Sequence, residues 1–104
     1  MSEFKLKKRN ANNRTRGKVY ERRVAESLRG KRNLDKSRPH TDVETRHEVF
    51  EVKSTQADVP SWLQKALAQL ELASAESNKK KGGVVKVYTK NKARAFLIKE
   101  IELR

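Results

Sequence analysis

Cysteine is absent from this chain, which excludes disulfides and the common cysteine-containing zinc sites. Long apolar runs are absent as well. The longest is the four residues from Ala95 to Ile98, too short for a membrane span or for the apolar stretch of a secretory leader. Aromatics are few, with one Trp, two Tyr and three Phe, and apolar residues make up 35% against 38% charged. A chain of 104 residues with that balance builds a thin core in a single domain. Acids are outnumbered by bases, 13 to 26, for a net charge of +13. The expectation is a cytoplasmic protein (or one acting in the host cytoplasm, were the chain virus-encoded) with no membrane association.

What is present is positive charge, unevenly spread. Residues 1–38 hold fourteen Lys and Arg against four acids, whereas residues 39–104 hold twelve against nine. A segment of that kind attracts a polyanion by counterion release, which supplies affinity without sequence preference and weakens steeply with salt. Nucleic acid is the expected partner. An anionic membrane is a poorer match, because no stretch joins a basic face to a large apolar one.

The polar, basic residues 1–15 read as a flexible arm, with Asn10, Asn12 and Asn13 as poor helix material. From about Arg16 to Arg29, Tyr20, Val24, Ala25 and Leu28 recur at helical spacing, and Gly30 supplies a stop. Lys31 to His40 reads as a basic connection to a hairpin. Pro60 and Ser61 open a second helix reaching about Asn78, with Leu63, Ala66, Leu67, Leu70 and Ala73 or Ser74 on one face. Trp62 and Gln69 flank that stripe, and Trp62 is read as a packing residue rather than a base-stacking one. Val84 to Thr89 and Ala93 to Ile98 read as two further strands, joined at Lys90-Asn91-Lys92.

The hairpin carries the chemistry. Glu48 to Ser54 has strand formers at Val49, Phe50 and Val52, so Phe50 and Val52 share one face while Glu51 and Lys53 project from the other, about 7 Å apart. A turn at Arg46-His47 pairs residues whose numbers sum to 93. Val43 then faces Phe50, Glu44 faces Val49, and Asp42 faces Glu51. Opposed like charges destabilise a sheet unless something neutralises them, and a divalent cation with hard oxygen ligands would do so. Glu-x-Lys alone is a weak signal, since Glu3-Phe4-Lys5 repeats it in the polar tail. The strand context and the aligned Asp42 separate the second copy from the first. His40 and His47 read as loop residues, because an oxygen-rich site has no need of imidazole.

Assembled in order, Arg16-Gly17-x-x-x-Glu21-Arg22, Asp42, Glu51-Val52-Lys53-Ser54-Thr55 and Gly82-Gly83 before Val84, Val85 and Val87 resemble the archaeal-type Holliday junction resolvases of the PD-(D/E)XK nuclease superfamily. The likeness covers about residues 16–104. It implies an α/β, restriction-endonuclease-like core, a mixed β-sheet flanked by two main helices in a single domain. It also implies a structure-selective endonuclease that hydrolyses phosphodiesters in four-way DNA junctions. On that resemblance Asp42 and Glu51, with the carbonyl of Val52, would hold Mg2+ or Mn2+. Lys53 would orient or deprotonate the attacking water or act through its charge, and Glu21 would complete the site. Arg14, Arg16, Lys18, Arg22, Arg23, Arg29, Lys31, Arg32, Ser37 and Arg38 are the expected nucleic-acid contacts, Ser37 standing in for a loop serine of the family. The literal Pro-Asp pair is missing, since Thr41 precedes Asp42. A junction is two-fold symmetric, so a homodimer is expected, with Trp62 a candidate for its interface. The alternatives are a related nuclease acting on ends, flaps or duplex, and a noncatalytic basic nucleic-acid-binding protein.

Overall fold

A computed structural model describes residues 3–104, with side chains from residue 15 onward. Its order is α1 (Glu3–Ser27), β1 (Lys31–Arg32), β2 (Val43–Glu44), β3 (Val49–Phe50), α2 (Ser61–Ser77), β4 (Val84–Tyr88) and β5 (Arg94–Ile98). The protein is mixed α/β, with two helices and two small antiparallel sheets, β1-β2-β3 and β4-β5. Every strand pair is antiparallel, in place of the one mixed sheet expected. Two compact units form, residues 1–56 with 102–104, and residues 57–101.

In the first unit α1 begins at Glu3, well before Arg16, so residues 3–15 of the expected arm are helical and residues 1–2 lie outside the described residues. Lys, Arg, Ala and Leu, all good helix formers, are interspersed among the asparagines there and offset them. At the other end Arg29, not Gly30, takes the left-handed conformation (φ 56°). Gly30 N–H donates to the Ala25 carbonyl at 2.8 Å and Arg29 N–H to the Glu26 carbonyl at 3.2 Å, the paired bonds of a Schellman ending. Gly30 is needed for a different reason: a Cβ there would lie 2.3 Å from the Glu44 carbonyl oxygen. The helix end and β2 approach closer than any other residue allows. Ala25 and the fully buried Val43 form the small core where α1 lies on β1 and β2.

Two of the three expected pairs form, Val43 opposite Phe50 and Glu44 opposite Val49, while the third, Asp42 opposite Glu51, lies beyond the ladder, which ends at Phe50. The hairpin turn is closed by Thr45 N–H to the Glu48 carbonyl at 2.9 Å, while Glu48 N–H donates to Thr45 Oγ1 at 3.2 Å. The strand β1 was not expected. It pairs Lys31 with Glu44 and Arg32 with Val43, and Asn33 N–H to the Asp42 carbonyl at 2.9 Å extends the contact by one residue.

The second unit follows the sequence closely. Pro60 precedes α2, Asn78 caps it in the left-handed conformation (φ 54°), and Leu63, Ala66, Leu67, Leu70 and Ser74 are its partly buried stripe. α2 lies against β4. The β4-β5 hairpin runs from Val84 opposite Ile98 to Tyr88 opposite Arg94, and Asn91 (φ 60°) turns the loop between them. Gly83 has φ 127°, and a Cβ on it would meet the Ile98 carbonyl oxygen at 2.8 Å.

Candidate active site

All four residues expected to carry catalysis, Glu21, Asp42, Glu51 and Lys53, fall in the first unit. Asp42 is the most constrained of them. Its carbonyl accepts from Asn33 on one side, and its carboxylate Oδ2 accepts from Val52 N–H at 2.8 Å on the other. The β2-β3 ladder ends at Phe50, so this side chain supplies the partner that the Val52 N–H would otherwise lack. The same bond holds the carboxylate against the backbone that joins Glu51 to Val52.

Beyond Phe50 the alternation persists: Val52 and Ser54 are partly buried, while Glu51 and Lys53 are exposed. Lys53 Nζ lies 3.2 Å from Glu51 Oε1, an ion pair whose side chains are 85% and 67% exposed. Glu21 projects from α1 into a cleft of about 340 Å³ that it shares with Asp42, Asn33, Asp35 and Arg38. Glu51 and Lys53 are not part of that wall. Glu21 is itself engaged, its Oε2 accepting from Arg32 Nε at 2.9 Å, with both side chains about one-quarter exposed. The structure thus joins Glu21 to Asp42 through a cleft and Asp42 to the Glu51 strand through a hydrogen bond. Among the described residues, no group of three His, Asp or Glu is gathered closely enough to hold a metal ion.

The loop between β1 and β2 is more ordered than a basic connection implies. Asn33 Nδ2 donates to the carbonyls of Arg38 at 2.8 Å and Thr41 at 2.9 Å, which ties the loop across its base. Asp35 Oδ1 accepts from both the main-chain N–H and the hydroxyl of Ser37, at 2.9 and 2.6 Å. Arg38 lays its fork on Glu44, with bonds of 3.0 and 2.9 Å, and reaches Asp35 Oδ2 through Nε at 3.2 Å. The bonds from Ser37, then that from Arg38, hold the Asp35 carboxyl below its ordinary range. Arg38 does the same to Glu44, and the two acids raise Arg38 in turn. Asp35-x-Ser37 is a legible turn signal. Nothing in the sequence marks Asn33.

Among the expected nucleic-acid contacts, Lys18, Arg22, Arg29 and Lys31 are exposed. Arg23 Nε donates to the main-chain oxygen of Arg104 at 2.7 Å and its guanidinium lies 5.4 Å from the Tyr20 ring centre. Arg16 is partly buried, and Arg14 lies outside the described side chains. Arg32, Ser37 and Arg38 are committed to internal carboxylates. Exposed His40 and His47 take no part in the site. No family model matches the chain, and no curated protein or solved structure proved similar to it. No helix among the described residues is long and apolar enough to cross a membrane.

Proposed function

We propose that this protein is a metal-dependent endonuclease with a restriction-endonuclease-like core, acting as a homodimer on branched DNA, four-way junctions first among them. The observation that supports this most is the state of Asp42. Four acids around it have a cationic partner: Glu21 has Arg32, Asp35 and Glu44 have Arg38, and Glu51 has Lys53. Asp42 accepts from a neutral N–H, and no cation of the described residues lies within ion-pair distance of it. A carboxylate fixed in place with its charge unbalanced, one strand from a second carboxylate, suits a divalent cation.

The donor chemistry fits magnesium, which takes only one or two protein carboxylates. Asp42 and Glu51, with the Val52 carbonyl, would hold it, and when bound it supplies polarisation of the phosphate and a more acidic water. Lys53, exposed beside Glu51, would place its ammonium on a phosphate oxygen where negative charge accumulates. Glu21, paired with Arg32, positions that arginine rather than meeting the metal. The exposed cations Lys18, Arg22, Arg29 and Lys31 track the flanking phosphates.

The test is cleavage of a synthetic four-way junction beside a linear duplex, with magnesium or EDTA, by the native chain and by Glu51→Gln. Magnesium-dependent cutting of the junction that Glu51→Gln abolishes is the expected result. Equal cutting of both substrates assigns a less selective nuclease of the same kind. The second reading, a noncatalytic binding protein, draws on the lack of a three-acid cluster among the described residues. Metal-independent binding with no cutting would establish it.

A further inference from the structure

The second unit carries an aromatic and cationic face that the hydrolytic reading does not use. In the β4-β5 hairpin, Lys86 pairs with Phe96 and Tyr88 with Arg94, so all four side chains emerge on one side of the sheet. With Ile98 they line an open concavity of about 560 Å³, a volume in the range of small-ligand pockets. Tyr88 and Phe96 meet edge to face, with ring centres 5.9 Å apart and planes at 81°. Lys86 Nζ sits 4.4 Å from the Trp62 ring centre and 5.7 Å from that of Tyr88, and Arg94 lies 5.0 Å from Phe96. None of the three rings is buried: Trp62 is 39%, Tyr88 54% and Phe96 44% exposed. Trp62, expected as a packing residue, is more than half covered and leaves the rest of its ring in solvent.

Exposed rings have two common uses, contact with another protein and stacking with nucleobases, and charge decides between them here. Residues 79–99 contain eight Lys and Arg and no acid. A symmetric contact between two copies through this face would set Lys86 and Arg94 against their own equivalents. The opposite side of the same hairpin, with Val85, Val87, Ala95 and Leu97 exposed and no charge among them, suits an apolar partner better. Cations resting on exposed rings are held weakly and exchange readily. A nucleotide entering the concavity would take Lys86 and Arg94 onto its phosphates and leave the ring faces to its base, which is how single strands are bound without sequence preference.

The geometry points to a second nucleic-acid site on this unit, in which Trp62, Tyr88 and Phe96 stack bases of a single strand while Lys86 and Arg94 hold its phosphates. It goes beyond the nuclease reading and does not depend on it, because stacking requires neither the metal nor Glu51. Trp62 is the sole tryptophan, so its emission reports on this face alone. The intact chain carrying Glu51→Gln is titrated in EDTA with an oligothymidylate of about 12 nucleotides, with an abasic oligomer of equal length, and with oligouridylate. Expected are quenching of Trp62 by both base-bearing oligomers and affinity on the order of a thousandfold weaker for the abasic one, which loses all three stacks. Phe96→Leu and Tyr88→Leu, which keep an apolar side chain but remove the ring, each lower affinity for the oligothymidylate by about tenfold and leave the abasic oligomer unaffected. A preference between the DNA and RNA oligomers identifies the source of the strand, and supports the site either way. Equal affinity for the abasic and base-bearing oligomers overturns it, as does unquenched emission at saturation. Emission that shifts with protein concentration alone, together with a sedimenting dimer, overturns it in favour of a second copy as the occupant.

Discussion

Two substitutions at Asp42 separate its structural duty from its proposed chemical one. Its Oδ2 takes the Val52 N–H at 2.8 Å. Asparagine keeps an oxygen in that place, so Asp42→Asn retains the hydrogen bond and removes only the charge. The loss of a charge-assisted bond for a neutral one is about 1 kcal/mol in stability. Alanine leaves the partly buried Val52 N–H without its acceptor, which costs about 1–3 kcal/mol. The expected pattern is a small change in the urea midpoint for Asp42→Asn and a clear fall for Asp42→Ala, with junction cleavage abolished in both. Junction binding in EDTA should persist in Asp42→Asn. The exposed cations Lys18, Arg22, Arg29 and Lys31 are untouched by the change, so that variant should bind about as tightly as the native chain. Retained magnesium-dependent cutting by Asp42→Asn would refute the assignment, because the remaining function of the residue would then be to close the end of the strand. Equal stability of Asp42→Ala and the native chain would refute the local geometry itself.

Gly30→Ala forces a Cβ to within 2.3 Å of a main-chain oxygen of β2, which cannot rotate away, whereas Gly17→Ala meets nothing within 4 Å. The first should lose about 1–3 kcal/mol to overpacking and the second gain up to about 1 kcal/mol of helix propensity, both read by thermal melts followed by circular dichroism. Because Asp35 and Glu44 have folded values below the ordinary carboxylate range, the folded loop binds fewer protons than the unfolded chain. Its stabilisation is complete above about pH 4.5 and is lost as pH falls through the folded values, so the difference in melting temperature between the native chain and Arg38→Gln should shrink on acidification. A constant difference down to about pH 2.5 would count against that ion-pair network. Arg22→Gln should weaken duplex binding uniformly and lower the slope of log K against log salt by about 1, while Arg38→Gln should act on loop stability first.

How far the sequence was legible follows from the range of each interaction. The hairpin register could be derived because a two-residue turn between short strands leaves one pairing that puts Val43, Phe50 and Val52 on the same face. The α2 stripe was legible because five apolar or small residues at helical spacing leave no second solution, and Pro60 and Asn78 mark its ends. β1 was not, since Lys31 and Arg32 have no strand signature and are held by their partner rather than by propensity. The network around Asn33 was invisible because one amide reaching carbonyls five and eight residues away leaves no periodic trace. Gly30 was correctly placed at the helix end, but for a reason that only the approach of β2 reveals. At the site, the alternation that exposes Glu51 and Lys53 was available in advance, while the bond from Val52 N–H to Asp42 and the arginine partners of Glu21 and Glu44 were not.

Those partners decide which acids a cation can recruit. The Glu51-Lys53 pair is largely in solvent, and exposed pairs of that kind contribute about 0–1 kcal/mol, so a phosphate drawing off Lys53 and a metal taking Glu51 would lose little in breaking it. The Glu21-Arg32 pair is about three-quarters covered, and separating it would leave a guanidinium short of a partner beside the small core. Glu44 is held by both arms of the Arg38 fork, and releasing it would also release the loop. The ease of exchange thus orders the carboxylates as Asp42, which has no cation to displace, then Glu51, then Glu21 and Glu44. On the proposed reading, Asp42 and Glu51 are therefore the two carboxylates that a cation would recruit at least cost, and a hydrated magnesium ion asks only one or two of a protein.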